Sequence, residues 1–420
     1  MADWKQVIRD EWNRRRRGDP PESFFPLINQ GFDEREIIAT VDALLSGRLT
    51  LADQVRSFEA RFAKTVGAPY AVMVNSGSSA NLLALAAASN PARARRLSAG
   101  DEVLIPAVCW STSLWPIVQM GLRPVFVDSS PDTLNVDLDD LRRKITAKTR
   151  ALMAVHILGN AAPMGEVLEL VEKHGLVLIE DSCESLGVRF RGHCVGTIGD
   201  FGSYSFYYSH HITTGEGGVV VCRTQEDWDL LKCLRAHGWS RELSNREAVE
   251  RENPDIDPRF LFVNAGYNLR PLEVQAAFGH CQLERLAGMN EARNANRARM
   301  IAVFEAHPRW RGQLQFPVAG AGVEPAWFGF VALLDAKSAR HHARYLRYLS
   351  ERGVENRPVV SGNFTRQPAV RLLGIECDPR AFPGAEEINA RGFFVGLHTE
   401  RLSDDKIAEV VDVMLGYDFD

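Results

Sequence analysis

Short apolar runs that alternate with helical segments constrain the fold of this chain more than any other feature. Apolar runs of four or five residues recur between positions 71 and 179, and segments with apolar residues at helical spacing separate them. The predicted elements are Ala71–Val74, Asn81–Ala88, Glu102–Ile105, Ser111–Met120, Pro124–Val127, Ala151–Val155, Met164–His174 and Leu176–Ile179. Strands that are apolar on both faces and joined by helices belong in a parallel sheet covered on both sides. The sequence therefore predicts an α/β protein built on a mostly parallel sheet.

The remainder of the chain predicts a second, smaller unit. Long helices are expected at Leu272–Leu286 and Asn290–Phe304, and strand and helix patterns alternate again after residue 327. A chain of 420 residues can hold one large and one small domain. We expect an N-terminal arm at residues 1–30, a large domain at 31–285 and a small C-terminal α/β domain at 286–420.

Net charge and hydropathy argue against a nucleic-acid-binding or membrane-spanning protein. The formal net charge is −5, and the basic run that ends at Arg17 has acidic neighbours in Glu11 and Asp19, which favours a mixed-charge helix ending before Pro20. No stretch approaches the roughly 18 apolar residues of a membrane span, and no signal-peptide core precedes Asp19. We expect a cytoplasmic protein that binds neither nucleic acid nor membranes.

The seven cysteines predict free thiols and no metal site. Their number is odd, their spacing is irregular, and no CxxC or CxC pair occurs. Neither a zinc ribbon nor a compact iron–sulfur loop is therefore encoded locally. Free thiols are typical of a reducing cytosol.

Polar or aromatic side chains follow the carboxyl ends of several predicted strands. Ligands bind beyond these ends in open α/β sheets. Residues 76–80 (SGSSA) could cradle a phosphate with free helix N–H groups, or only cap the helix. Asp181 could hold a protonated ring nitrogen, or cap a helix. Trp110 could stack on a heteroaromatic ring, or simply pack.

A turn with two adjacent histidines, His210 and His211, separates two β-like runs and is followed by a glycine-rich segment. The first run is predicted as a short strand that includes the aromatic residues 206–208. Paired imidazoles where glycines let a ligand approach the backbone indicate a site. Neighbouring histidines in an inert surface turn are the alternative. A phosphate cradle, an aromatic face, a carboxylate and a base at successive strand ends would together suit pyridoxal phosphate.

Five motifs, in order, resemble the DegT-type sugar aminotransferases of the fold-type I pyridoxal phosphate class over nearly the whole chain. They are VNSGSSANLLAL, EDSCESLG, SFYYSHHITTGEGG, GYNLRPLE and GNFTRQP. The resemblance implies a large, mainly parallel domain, a small C-terminal α/β domain, and a homodimer with active sites at the subunit interface. It also implies action on nucleotide-linked keto sugars.

His210 departs from the main family. Those aminotransferases carry, five residues before the first Gly of GEGG, a lysine that binds the cofactor covalently. Here none of the eight lysines lies in this turn. The replacement is similar to the sugar 3-dehydratases, so the cofactor is expected to be held noncovalently, as pyridoxamine phosphate, with His210 moving a proton.

Two dehydratase branches are possible by that resemblance. One acts on CDP-4-keto-6-deoxyglucose with a cysteine-ligated [2Fe–2S] cluster. The other acts on GDP-4-keto-6-deoxymannose, has no cluster and recycles its cofactor with L-glutamate. Residues 237–257 contain no cysteine, and LRAHGWSREL is similar to the second branch, which is therefore favoured. A sugar-nucleotide sensor that kept the fold and lost the lysine is a further alternative.

The resemblance assigns site residues one by one. His210 is the catalytic residue, and His237 and Arg241 are candidate substrate or glutamate contacts. The cofactor-binding residues are Gly77, Ser78, Trp110, Asp181, Glu184, Ser205 and Asn268, the last from the partner subunit. No metal ligand is expected.

Overall fold

The computed structural model describes residues 3–16, 23–29 and 31–419. Its helices are α1 Trp4–Arg16, α2 Glu34–Leu45, α3 Asp53–Val66, α4 Gly77–Ala88, α5 Ser111–Gln119, α6 Leu138–Lys144, α7 Met164–His174, α8 Gln225–Arg235, α9 Arg246–Glu252, α10 Glu273–Ala306, α11 His342–Glu351, α12 Pro368–Leu372, α13 Pro383–Arg391 and α14 Asp404–Met414. Its strands are β1 Tyr70–Val74, β2 Glu102–Pro106, β3 Arg123–Val127, β4 Thr149–Val155, β5 Val177–Asp181, β6 Arg189–Phe190, β7 His193–Cys194, β8 Phe201–Ser205, β9 Gly218–Cys222, β10 Leu314–Gln315, β11 Val323–Glu324, β12 Phe330–Leu334, β13 Asn356–Pro358 and β14 Gly392–Val395.

The main sheet has seven strands in the order β1-β9-β8-β5-β4-β2-β3. All neighbours pair in parallel except β9, which runs antiparallel to both β1 and β8. The predicted mostly parallel α/β sheet is confirmed. Because six strands run the same way, their carboxyl ends meet at one edge.

The carboxyl ends of β1, β5 and β8 lie close together at that edge. Gly218 opens β9 and pairs on one side with Val74, the last residue of β1, and on the other with Ser205, the last residue of β8. Asp181 ends the neighbouring β5. The segments that leave β1, β5 and β8 therefore start side by side.

Helix α4, which leaves β1, is buried along most of its length. It is rich in Ala and Leu on every side, and a helix that is apolar all round belongs in a core. Small alanines let it pack closely against β8 and β9. Asn81 is its one buried amide, and its partners are described below.

A smaller sheet, β10-β12-β14-β13, follows in the C-terminal part of the chain. Helices α11 and α14 cover it. Its core includes Phe25 from the N-terminal segment, so residues before α2 are fixed against the C-terminal part. The other buried residues of this core include Met300, Phe304, Phe330, Tyr345, Phe393 and Val411.

Three predicted boundaries were wrong. The two long helices predicted on either side of residue 288 are one continuous helix, α10, because an exposed Gly288 lowers helix propensity without breaking the hydrogen-bond ladder. Asp181 is the last residue of its strand instead of following it. The strand predicted to include the aromatic residues 206–208 ends at Ser205.

The predicted domain limits stay predictions. The boundary between residues 285 and 286 falls inside α10. Of the predicted arm at 1–30, residues 1–2, 17–22 and 30 lie outside the described residues, and with them Arg17, Asp19 and Pro20.

Candidate functional site

Gly77 and Ser205 meet where β1 and β8 end. Gly77 begins α4, and a β-carbon added to it would lie 2.4 Å from the Cβ of Ser205, so only glycine allows this approach. The N–H groups of Gly77 and Ser78 lie in the first turn of α4, where the helix itself offers them no acceptor. Together with the Ser205 hydroxyl, this helix end can receive an anion such as a phosphate.

Ser78 links the starts of two helices. Its side chain is exposed, and its hydroxyl donates to Oγ1 of Thr112 in the first turn of α5 at 3.0 Å. The N-termini of α4 and α5 therefore face the same space at the carboxyl edge of the sheet.

Asp181 is held by three hydrogen-bond donors. Asn81 Nδ2 and Ser113 Oγ both donate to its Oδ2 at 2.7 Å, and the N–H of Cys183 donates to Oδ1 at 3.1 Å. Ser203 Oγ donates to the amide oxygen of Asn81 at 2.5 Å, which directs the NH₂ group of Asn81 toward the carboxylate. Since Oδ1 receives a single donor, it keeps a lone pair for one more.

The ring of His210 is fixed through its Nδ1. That nitrogen lies 2.7 Å from the backbone oxygen of Cys183, and because a carbonyl oxygen only accepts, Nδ1 carries the proton. Burial lowers the pKa of His210 to about 4, against smaller opposing effects of the Cys183 hydrogen bond and the Asp181 charge. At neutral pH the imidazole is therefore uncharged, with Nε2 as its basic atom.

His211 points the other way. Its Nε2 donates to the carbonyl oxygen of Ala326 at 2.7 Å, and its side chain is fully buried. Burial lowers its pKa well below the usual range. Both imidazoles make edge contacts with the ring of Phe328, at 5.3 and 5.5 Å between centroids. His211 therefore anchors the turn through Ala326, while the ring of His210 is held only through Nδ1 among the described hydrogen bonds.

Glu184 is a carboxyl group with a raised pKa. Its Oε2 accepts the N–H of Leu158 at 3.1 Å. Burial, with a smaller effect of the Asp181 charge, raises the pKa of Glu184 to about 7. The group therefore keeps its proton to a higher pH than a free glutamate side chain, and in that form it can donate a hydrogen bond as well as accept one.

An aromatic face is open beside this cluster. Trp110 is the residue before α5 and is 54% exposed, which is unusual for a tryptophan. Ser361 from the C-terminal part donates to the carbonyl oxygen of the preceding Cys109 at 2.5 Å and so fixes the backbone there. Tyr207 and Tyr208, just before His210, are also about half exposed. A flat ligand could stack here.

The DegT/DnrJ/EryC1/StrS aminotransferase profile matches residues 31–415, which is most of the chain. The chain belongs to this family.

Relatives in the family include sugar dehydratases. A GDP-4-keto-6-deoxy-D-mannose 3-dehydratase of Escherichia coli O55:H7 is 37% identical over 383 residues, covering 91% of this chain and 97% of the relative. A solved E. coli structure of that enzyme with bound hydrated PLP has a TM-score of 0.85 at 37% identity and covers 93% of this chain and 99% of its own. A second structure, of the same type of enzyme with a trapped PLP-glutamate geminal diamine, has a TM-score of 0.85 at 36% identity, with coverages of 93% and 100%.

The three other residues suggested by the family resemblance have a different set of neighbours. His237 contacts Trp239 edge to face at 4.7 Å, and the guanidinium of Arg241 lies 3.9 Å over the same indole. Asn268 is exposed, pairs with Ala236 in an isolated bridge and accepts from Nε of Arg270 at 2.9 Å. Within the described residues, no hydrogen bond or ring contact joins these three to Asp181 or His210.

Some members of the cluster were missed in the sequence. Asn81 and Ser113 both lie on helices that read as ordinary core segments. The single buried amide in an otherwise apolar α4 was the signal available for Asn81. No sequence pattern could have shown that the backbone of Cys183 orients the ring of His210.

The described part of the chain has neither a cluster of metal ligands nor a membrane-spanning helix. Among those residues, no group of three or more His, Cys, Asp and Glu side chains is placed to hold a metal ion. None of the helices described is both long enough and apolar enough to cross a bilayer.

Proposed function

We propose that this protein is a 3-dehydratase of a nucleotide-linked 4-keto-6-deoxyhexose, with GDP-4-keto-6-deoxymannose as substrate and pyridoxamine phosphate as cofactor. The observation that carries the proposal is His210, a neutral imidazole with a free Nε2 at the position where the aminotransferases carry lysine. Two relatives that share about nine-tenths of its length, at 37% and 38% identity, are GDP-4-keto-6-deoxy-D-mannose 3-dehydratases.

The residues present fit the cofactor. Its phosphate would bind the N–H groups of Gly77 and Ser78 and the hydroxyl of Ser205, where a Cβ at position 77 would leave no room. Its ring nitrogen would donate to Oδ1 of Asp181, which has a lone pair free. The open face of Trp110 would stack on the ring, and Glu184 would lie near the ring hydroxyl.

When bound, the cofactor supplies the amine that condenses with the C4 ketone and a ring that accepts electrons. With the cofactor bound, Nε2 of His210 would be the atom that takes the proton from the cofactor C4′ carbon. The protonated imidazole is then a strong acid, because burial lowers its pKa to about 4, and it can protonate the departing C3 hydroxyl. The same atom therefore takes and returns one proton.

L-Glutamate restores the amine form of the cofactor. The net reaction converts the keto sugar and L-glutamate into the 3-deoxy keto sugar, 2-oxoglutarate and ammonia. The oxygen that the sugar loses balances the keto oxygen that glutamate gains. The solved relative with glutamate attached to PLP supports this half of the reaction.

We further propose a cytoplasmic homodimer. Asn268, His237 and Arg241 share no hydrogen bond or ring contact with Asp181 or His210 of their own chain among the described residues, so we assign Asn268 to the partner's site across the interface and keep His237 and Arg241 as contacts of the substrate or glutamate. Exposed apolar side chains near Asn268 support such an interface, among them Ile256, Phe260, Phe262, Val263 and Leu272. All seven cysteines are free thiols, which fits a reducing compartment.

The test is incubation with GDP-4-keto-6-deoxymannose, PLP and L-glutamate. We expect ammonia and 2-oxoglutarate in equal amounts, together with a sugar that is one oxygen lighter. Formation of 2-oxoglutarate with an amino sugar and no ammonia would show an aminotransferase instead. Sugar binding without either product would indicate the sensor, and an iron–sulfur absorbance in anaerobically purified protein would indicate the cluster-dependent reaction.

A further inference from the structure

Arg293, in the middle of α10, is a buried cation without an acidic partner. The fully buried arginines among the described residues are Arg235, Arg293 and Arg391. Arg235 pairs with Glu59 and Glu242, and Arg391 pairs with Glu387. Within the described residues, Arg293 has no carboxylate within salt-bridge distance, although its side chain is only 4% exposed.

Backbone oxygens are the partners that Arg293 does have. Its Nε donates to the carbonyl oxygen of Leu397 at 3.2 Å, and Nη1 donates to that of His211 at 3.4 Å. Nη2 donates to no group in the described part of the chain. Two long hydrogen bonds to neutral acceptors leave most of the guanidinium charge uncompensated.

Such a charge is costly. Burial lowers the pKa of Arg293 to about 10, so its surroundings destabilise the charge, although the guanidinium stays charged at neutral pH. Proteins usually pair a buried charge or use it to bind a ligand of opposite charge. The guanidinium of Arg293 is held by two carbonyl oxygens, and its Nη2 has no acceptor among the described residues. Such a group is well suited to binding a carboxylate.

Its position places that charge beside the reacting groups. Arg293 bonds to the backbone of His211, the residue after His210, and its charge helps to lower the pKa of His210. An anion bound by Arg293 would therefore lie near the imidazole that moves protons.

We propose that Arg293 binds the α-carboxylate of L-glutamate during regeneration of the cofactor. The inference rests on the proposed function, in which glutamate is the amino donor. In glutamate the α-carboxylate is attached to the same carbon as the reacting amine, so it must lie close to the proton-moving base. The diphosphate of the sugar nucleotide is separated from the reacting C3 and C4 atoms by part of the hexose ring and fits this position less well.

Arg293→Gln tests the assignment, because it keeps a polar side chain and removes the charge. We expect the KM for glutamate to rise about 10- to 100-fold, as for the loss of a charged hydrogen-bond pair. A single turnover of protein supplied with pyridoxamine phosphate needs no glutamate, and the affinity for the sugar nucleotide measured in it should stay within about threefold of the wild type. Arg293→Lys should restore part of the glutamate affinity.

Arg297→Gln is the matched control, one helical turn further along α10. Arg297 also lacks a carboxylate partner in the part of the chain described, but its guanidinium lies 3.9 Å over Trp327 and donates to Pro317, so its charge is already engaged. This variant should keep the wild-type KM for glutamate.

Binding gives a readout that is independent of turnover. Glutarate, a dicarboxylate without an amine, should raise the unfolding temperature of the wild type and of Arg297→Gln more than that of Arg293→Gln. Equal shifts in all three, or an unchanged KM for glutamate in Arg293→Gln, would overturn the inference, as would a loss of sugar affinity in place of glutamate affinity. Failure of the proposed function is a different result, because wild-type protein with pyridoxamine phosphate would then form no 3-deoxy sugar.

Discussion

The Nδ1 of His210 and the backbone oxygen of Cys183 lie 2.7 Å apart. The N–H of the same Cys183 donates to Oδ1 of Asp181. One peptide segment therefore sets the tautomer of the proposed proton carrier and the orientation of the carboxylate that would hold the ring nitrogen. His210, the proposed acid–base group, and Asp181, the proposed partner of the cofactor ring nitrogen, are therefore positioned by the same residue, Cys183.

His210→Lys should abolish dehydration and create a covalent bond to the cofactor, because a lysine amine captures the aldehyde of PLP and an imidazole does not. We expect at least a ~1000-fold loss of 3-deoxy sugar formation, in the upper range of general acid–base contributions. The new bond is measured as a cofactor absorbance that survives gel filtration. His210→Asn is the control and should lose dehydration without gaining that absorbance. Dehydration that persists in both variants would remove His210 from the mechanism.

Ser113→Ala should loosen Asp181 and weaken cofactor binding. The change removes one of the two donors to Oδ2, and a hydrogen bond to a charged group contributes about 1.5–3 kcal/mol. We expect PLP affinity to fall roughly tenfold or more, measured by fluorescence titration of the apoprotein. Ser182→Ala is the matched control, since the buried hydroxyl of Ser182 has no hydrogen-bond partner in the described residues. Equal effects of the two changes would count against a role for Ser113.

Gly77→Ala should destabilise the protein and impair phosphate binding, because the new methyl group would overlap the Cβ of Ser205. Overpacking of this kind costs about 1–3 kcal/mol, measured as the free energy of unfolding in urea. Adding Ser205→Gly should recover much of the stability but not the PLP affinity. Gly288→Ala, at an open position of α10, should instead stabilise by roughly 0.5–1 kcal/mol. A stable Gly77→Ala protein would refute the close approach.

Glu184→Gln should flatten the pH dependence of stability near neutrality. The pKa of Glu184 is raised to about 7 in the fold, against about 4.3 for a free glutamate side chain. Its contribution is therefore fully present below pH ~4 and is lost as pH rises through 7. The wild-type apoprotein should lose more stability than Glu184→Gln between pH 5 and pH 8 in urea titrations. Parallel curves for the two proteins would contradict a raised pKa.

The sequence predicted the sheet well because strand-forming apolar runs and helix periodicity are local signals. Residues at strand ends were also accessible, since parallel strands end at one edge, and this is why residues 76–80, Trp110 and Asp181 could be grouped. Ser205 was named only through the family resemblance. The amide of Asn81 and the hydroxyl of Ser113 were not accessible in this way. Their partner, Asp181, lies 100 and 68 residues away in the chain, and only the packing of α4 and α5 brings them to it.

The burial of Arg293 also could not be predicted from the sequence. Its sequence context is a charged, alanine-rich helix, in which an arginine is expected to face solvent. The position is buried, and Leu397, shortly after β14, and His211 of the histidine turn both accept hydrogen bonds from its guanidinium. Whether a buried charge has a partner depends on tertiary packing and cannot be read from helical periodicity.

Helix α10 runs unbroken for 34 residues, about 50 Å at 1.5 Å per residue. Its first half supports the main sheet and its last turns lie in the core of the smaller one. Residues 285–286 lie inside this continuous helix. The C-terminal part therefore cannot rotate about them relative to the main sheet without breaking helical hydrogen bonds. A movement of the C-terminal part over the carboxyl edge of the main sheet would have to bend the chain outside α10. The loop that contains Ser361, whose hydroxyl bonds to Cys109, is one such place.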